Sequence, residues 1–461
     1  MSKKIDKMNN LKMKAIPFNL KILHMKGEKK VLKKLLTFVL LLAFVLLAAC
    51  GGKTATETSS ESGESSGEKK KLTFWHIETG SNQEVLNAAV ERFEKNHPDV
   101  EVEVIQQEND PYKTKLSVAM GGGTPPDVFT SWGGGWLKEF VKAGQVKDLT
   151  EELDKENFVP VALTNSTFDE KLYGAPLRIA FVPVWYNKEI FEKLNLSTPE
   201  TYEELLGVIE TLKDNNIIPF ALANQSKWPG AFYLMYFADR IGGSSLFNEA
   251  YERTGRAFDN EAYIKAGEKI QELVKAEAFP KGFNGLNYDT GQSRQLFYSG
   301  KAGMIIQGTW LLSNIRNELP EFEEKIDIFP FPAVEGGKGS KNNVVGGVNP
   351  TFSVSTKSEN PDLAVELVKE LTSQETAQEL TDKSGAIPAV NGVEITDEFA
   401  KRTYELLEKS EVLQPYYDQT LPPELAELHK DTTQAIFGLS MTPEEAAKKM
   451  EEKAQEILTE K

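Results

Sequence analysis

From Leu72 onward the apolar positions change period repeatedly, and that change predicts alternating strands and helices. Leu72-Thr73-Phe74-Trp75-His76-Ile77 reads as a buried strand. Val85, Leu86, Ala89, Val90 and Phe93 recur at helical spacing, with Ser81 and Glu84 as a capping box before them and His97-Pro98 behind. Val100, Val102 and Val104 alternate with glutamates as a second strand. After another short helical stretch, Pro126-Asp127-Val128-Phe129-Thr130 supplies a third. Strands separated by helices in this way predict an α/β fold on a mostly parallel sheet. Past Asn391 the texture is helical. Thr396-Asp397-Glu398-Phe399 and Thr442-Pro443-Glu444-Glu445 are helix starts, and Lys448 to Lys461 is a charged amphipathic tail expected to pack on the body of the protein.

Before Leu72 the pattern differs. An apolar run from Leu35 to Leu47 follows a lysine-rich segment and closes on Leu47-Ala48-Ala49-Cys50, which holds the only cysteine. A membrane span needs about 18 or more apolar residues, and this run is shorter, so it has the layout of a secretory signal. Its last four residues resemble the lipobox of bacterial lipoproteins. That resemblance implies that residues 1–49 are removed and that Cys50 carries a diacylglycerol. Met25-Lys26-Gly27-Glu28-Lys29-Lys30 is the more ordinary signal start, so translation from Met25 is an alternative. Residues 50–71 are polar and lack any large apolar side chain, as expected of a flexible tether. Gly63-Glu64-Ser65-Ser66-Gly67 matches a serine-hydrolase motif there, without the strand and helix that would expose a nucleophile.

Charge narrows the partners. Residues 1–49 carry eleven lysines against Asp6 and Glu28, so their removal takes the net charge from −16 to −25. Phosphate binding needs clustered positive charge, and nucleic acid is therefore not an expected partner. A lone cysteine rules out an intramolecular disulfide. Beyond residue 49 the histidines are His76, His97 and His429, too few to suggest a metal receptor, and no cofactor motif is present. A secreted glycosidase would need two positioned carboxylates, which a chain with 69 acidic residues neither singles out nor excludes.

Several stretches share one further likeness. Thr73-Phe74-Trp75, Phe93-Glu94-Lys95-Asn96-His97-Pro98 and the strand from Val100 resemble the start of the family 1 extracellular solute-binding proteins, the carbohydrate receptors of ABC importers. Gly121-Gly122-Gly123-Thr124-Pro125-Pro126-Asp127-Val128, Tyr173-Gly174-Ala175-Pro176, Val184-Trp185-Tyr186-Asn187-Lys188 and Gly300-Lys301-Ala302-Gly303-Met304 follow in the family's order. The resemblance implies a two-lobed, monomeric receptor that closes on a sugar, with residues 72–180 plus 327–390 as one lobe and 181–326 plus 391–461 as the other. It also implies a membrane permease as partner and no enzymatic activity; a polyamine or other non-sugar solute remains an alternative ligand.

A sugar site needs aromatic faces for the pyranose C–H surface and hydrogen-bonding groups for its hydroxyls. Trp228, in the turn-forming context Asn224 to Gly230, and Trp310, after the strand ending at Gly308, sit where the family places stacking rings. Trp132 follows a strand and either meets ligand or packs on the Gly133-Gly134-Gly135-Trp136 loop. Trp75, Trp185 and Trp136 read as packing residues. The resemblance points to Glu78, Asn109, Asp110, Tyr417 and Asp418 as further contacts, and to Asn349, where Gly346 and Gly347 would let backbone approach ligand. Arg178 reads either as a hydroxyl ligand or as half of an ion pair near the hinge.

Overall fold

The structure, a computed structural model, describes residues 69–458. The signal segment, Met25, Cys50, the hydrolase-like motif and most of the tether lie outside them. Apart from short connecting elements, the chain runs through β1 (Lys70–His76), α1 (Gly80–Asn96), β2 (Val100–Gln106), α2 (Asn109–Gly122), β3 (Val128–Ser131) and α3 (Gly134–Lys142). It crosses by β4 (Ala175–Pro176), β5 (Arg178–Phe181) and β6 (Val184–Asn187) to α4 (Tyr202–Asp214), β7 (Ile218–Phe220), α5 (Trp228–Gly242), α6 (Glu261–Lys275), β8 (Ala302–Ile306), α7 (Leu311–Glu318) and β9 (Ile326–Phe329). It returns by β10 (Val344–Val348) to β11 (Thr351–Val354), α8 (Pro361–Leu371) and α9 (Gln374–Ser384). It ends with β12 (Ile387–Pro388), α10 (Glu398–Glu408), β13 (Leu413–Pro415), α11 (Tyr417–Thr420), α12 (Pro423–Phe437) and α13 (Pro443–Leu458).

Three sheets organise these elements. The first has the order β2-β1-β3-β11-β4; β1 is parallel to β2 and β3, with Phe74 opposite both Val104 and Val128. The return strand β11 is antiparallel to β3, so Phe352 lies opposite Thr130. The second sheet, β9-β6-β8-β7, centres on Trp185, which is opposite Ile305 on one side and Ile328 on the other. The third, β12-β5-β10-β13, is made of the segments that cross between the other two. Residues 327–329, expected with the first lobe, pair with β6 in the second sheet as part of β9, because Ile326 and Phe329 bury their side chains in cores built on that sheet. The return to the first sheet follows β10.

Each main sheet has its own core. Leu72, Phe74, Val85, Leu86, Ala89 and Phe93 join Val354, Val365 and Val368 on the first, whereas Phe220, Tyr233, Phe237, Ile270 and Phe437 build the second. The expected helix after β1 forms, but its expected capping box does not. Thr79 occupies the cap position without a side-chain bond. The Ser81 backbone N–H instead donates to Asn317 Oδ1 at 3.1 Å, and its hydroxyl lies 3.2 Å from that of Ser313, both on α7. At the other end, Thr442 Oγ1 accepts from the Glu445 N–H at 3.1 Å while Glu445 Oε2 accepts from the Thr442 N–H at the same distance, a capping box that starts α13. Ala446, Ala447, Met450, Ala454 and Leu458 of that helix are buried against α6 and α12, so the charged tail packs on its own body. No helix among the described residues is long and apolar enough to cross a membrane.

Candidate functional site

A cavity of about 230 Å³ lies between the strand ends of the first sheet and the helices of the second. Ligands of open α/β sheets bind beyond the carboxyl ends of strands, and Glu78, Asn109 and Trp132 reach the cavity from the turns after β1, β2 and β3.

The wall on the second sheet is aromatic. Trp228 opens α5 directly after Lys227, which adopts a positive φ of 67°. Asn224 holds that turn: its Oδ1 accepts from the Gly230 N–H at 3.0 Å, its Nδ2 donates to Asn284 Oδ1 at 2.7 Å, and its carbonyl accepts from Gln434 Nε2 at 2.6 Å. Trp310 lies beyond β8 with its ring folded over Gly308, where an added Cβ would sit 2.1 Å from a ring carbon. Its Nε1 donates to the Tyr288 hydroxyl at 3.0 Å. The Trp228 ring centroid is 4.5 Å from Tyr288, 5.5 Å from Phe232 and 6.1 Å from Trp310, all edge to face. Such mutual edge contacts hold four rings in place while Trp228 and Trp310 remain only half-buried.

The facing wall is polar and largely self-paired. Arg178 Nη1 donates to Glu78 Oε2 at 3.0 Å and Nη2 to Oε1 at 2.9 Å, both side chains being about 6% exposed. Asn82 Nδ2 donates to Glu78 Oε2 at 2.9 Å, so both carboxylate oxygens are engaged. Arg178 is thus an ion-pair residue that also borders the cavity. Behind it the buried His76 accepts from the Glu78 N–H at 3.1 Å, and burial lowers its pKa to about 4 against the opposing pull of the Glu78 charge. Trp132 lies edge-on to Tyr112, and the Lys113 ammonium sits 4.7 Å above its ring and 3.8 Å from Asp418 Oδ2. Burial, then the charge of Lys430, lowers the Lys113 pKa, with Asp418 acting the other way. Trp132 thus borders the cavity with Lys113 over its ring. Glycine at 134 and 135 admits the chain at Gln419 to Leu421, since an added Cβ at either would lie within 2.3 Å of a carbonyl there.

Seven of the expected residues meet on this cavity: Glu78, Asn109, Trp132, Trp228, Trp310, Asn349 and Asp418. Asp110 and Tyr417 do not. Asp110 accepts from Asn109 Nδ2 at 3.0 Å and faces an adjoining groove with Trp136 and Lys227. Tyr417 is packed into the second core, stacked on Phe247 at 4.0 Å, while Tyr416 takes the cavity side. Tyr416 caps α11 in an extended conformation and Tyr417 opens the helix, and only the first ring borders the cavity. Gly346 and Gly347 make room for protein, not ligand: an added Cβ would meet the Ala180 carbonyl at 2.6 Å and the Tyr416 ring at 3.2 Å. Phe232, Tyr288, Asp289 and Gln419 also line the cavity, and the first three were not anticipated. Tyr288-Asp289 sits in Asn287-Tyr288-Asp289-Thr290-Gly291, an aromatic ring among turn formers, the same signal that marked Trp228. Burial and the nearby charges of Asp110 and Glu108 raise the Asp289 pKa to about 6, Arg294 opposing. Among the described residues no group of three or more His, Cys, Asp and Glu side chains is placed to hold a metal ion.

Two α/β bodies joined by crossing strands, with an aromatic wall facing a polar one, make a cleft receptor for a small polar molecule. The chain belongs to the bacterial extracellular solute-binding protein family, which it matches over residues 79–378. It is 29% identical over 377 residues to the galactooligosaccharide-binding protein of Bacillus subtilis, covering 79% of this chain and 82% of that one. It is 26% identical to the multiple sugar-binding protein of Streptococcus mutans, covering 76% and 81%. A solved structure from work on xylan utilization by the thermophilic bacterium Caldanaerobius polysaccharolyticus superposes with a TM-score of 0.77 at 31% identity, covering 83% of this chain and 99% of that one.

Proposed function

We propose that this protein captures a di- or oligosaccharide in the cleft and delivers it to the membrane permease of an ABC importer. The observation that carries this reading is the pair of half-buried indoles, Trp228 and Trp310, held edge to face over a cavity whose opposite wall is polar. Flat apolar faces take the C–H side of a pyranose, and Asn109, Asn349, Asp418 and the Glu78–Arg178 pair border the space its hydroxyls would fill. The sugar-binding relatives and the xylan-related structure support the same ligand class.

In this reading β5, β10 and the β12-to-β13 segment are the hinge of two lobes, which close by rigid-body motion around the sugar. Residues 70–176 with 351–386 form one lobe; 184–329 with α11, α12 and α13 form the other. Delivery requires proximity to the permease. Lipidation of Cys50, with a tether through residue 69, supplies it on the outer face of the membrane and keeps a monomeric receptor at high local concentration. No covalent chemistry on the sugar is part of the cycle.

Calorimetric titration of the protein with an oligosaccharide panel tests the proposal. Saturable binding of at least one sugar, recovered intact afterwards, is the expected result. Shortened products would favour a glycosidase. Binding of spermidine or a metal ion, with none of any sugar, would overturn the carbohydrate reading.

A further inference from the structure

The charges that border the cavity are unevenly committed. Its three cations are each engaged by the protein: Arg178 by Glu78, Lys113 by Asp418 and the Trp132 ring, and Arg294 by Glu318, whose carboxylate accepts from Nη2 at 2.7 Å, and by the Tyr288 carbonyl at 3.2 Å. The anions Glu108 and Asp289 also border it, and neither side chain forms a hydrogen bond or ion pair with a described residue. Two neutral acceptors, Asn349 Oδ1 and Gln419 Oε1, are buried there without a partner. The uncommitted donors, Trp228 Nε1 and the amides of Asn314, Asn349 and Gln419, are all uncharged. The groups left for a ligand are thus neutral ones, which pair with hydroxyls, and two carboxylates, with no free cation among them. Such a set takes hydroxyl hydrogens readily. A carboxylate has no hydrogen to give, finds no free cation, and meets like charge at short range.

Building on the sugar-receptor reading, we infer that the cleft selects uncharged oligosaccharides against uronic acids, with Asp289 and Glu108 as the residues that exclude the acid and Gln419 and Asn349 as amide partners for neutral hydroxyls. Negative charge at the rim of a low-dielectric cleft acts on the ligand without touching it, so exclusion weakens with salt.

The experiment is a calorimetric comparison of matched pairs. Stachyose, cellotetraose, maltotetraose and xylotetraose are titrated into the protein, each followed by its acidic counterpart: the C6-oxidised form for the hexose sugars and the glucuronic-acid-substituted form for xylotetraose. The expected result is that the acid binds at least about tenfold more weakly than its neutral partner at low salt, with the ratio shrinking as salt is raised. The ratio should also fall toward one in a Glu108→Gln/Asp289→Asn protein, whose melting profile reports whether it is folded. Equal or tighter binding of the acid by the unaltered protein would overturn the inference and leave the sugar reading standing. A salt-independent ratio would overturn the electrostatic cause, as would a ratio unchanged in the folded double variant. Binding of no sugar, neutral or acidic, would overturn both together.

Discussion

The two walls of the cleft solve different problems with different residues. On the first-sheet side, Glu78, Arg178 and Asn82 satisfy one another, and Lys113 is shared between Asp418 and the Trp132 ring. On the second-sheet side, Trp228, Phe232, Tyr288 and Trp310 brace one another by their edges. A buried ion pair contributes little net stability but is costly to break, so the polar wall serves as a rigid frame. Aromatic faces gain most when they leave water, so the other wall holds binding energy in reserve until a ligand covers it. Polar-wall substitutions should thus register mainly in stability, and aromatic-wall substitutions mainly in affinity.

The largest effect is expected from Glu78→Ala, which leaves the Arg178 guanidinium buried without its carboxylate. Loss of about 3–5 kcal/mol in denaturant unfolding is expected, and a loss under about 1 kcal/mol would show that the pair is not part of the frame. Next come the two buried histidines, His76 beside Glu78 and His429 against Tyr417 and Asp418. Burial holds His76 and His429 at about 4, the carboxylates of Glu78 and Asp418 opposing it in turn. In the unfolded chain a histidine titrates near about 6.5, so between these values the unfolded state binds protons that the folded state refuses. Their contribution is therefore intact above about pH 6.5 and is lost as pH falls toward 4, at most about 3 kcal/mol each. Urea unfolding at stepped pH should show this decline, with a smaller slope in His429→Gln. An unchanged slope would remove His429 from the account.

Trp228→Ala and Trp310→Ala should each weaken sugar binding by about 1.5–3 kcal/mol, read by calorimetry, while the unfolding midpoint changes less than in Glu78→Ala. The smallest effect sharpens the comparison furthest. Gly308→Ala touches no ligand, yet its methyl would occupy the place of the Trp310 ring and force the indole to turn. A loss of about tenfold in affinity, about 1.4 kcal/mol, is expected. Unaltered affinity would mean that the Trp310 orientation does not matter.

What could be read from the chain depended on the range of the interaction. The β1-α1-β2 alternation was legible because local period and burial agree there. Trp228 and Trp310 were legible because each follows an apolar run and stands among turn or glycine residues. The Ser81 cap was misread because its hydroxyl is drawn to Ser313, 232 positions away, and nothing local announces that partner. Tyr416 and Tyr417 are adjacent, chemically alike and both buried, so only the packing of Tyr417 on Phe247 and His429 decides which ring borders the cavity. The same limit applied to Arg178, whose choice between ligand and ion pair rests on Glu78 a hundred residues earlier.

A crystal structure grown with the tightest-binding neutral sugar tests the central claim most directly. The account predicts a pyranose ring lying on the Trp228 or Trp310 face, with hydroxyls donating to Asn349, Asp418 or Gln419 and the Glu78–Arg178 pair still closed. A sugar seated instead in the groove beside Asp110 and Trp136, with both indoles bare, would contradict it.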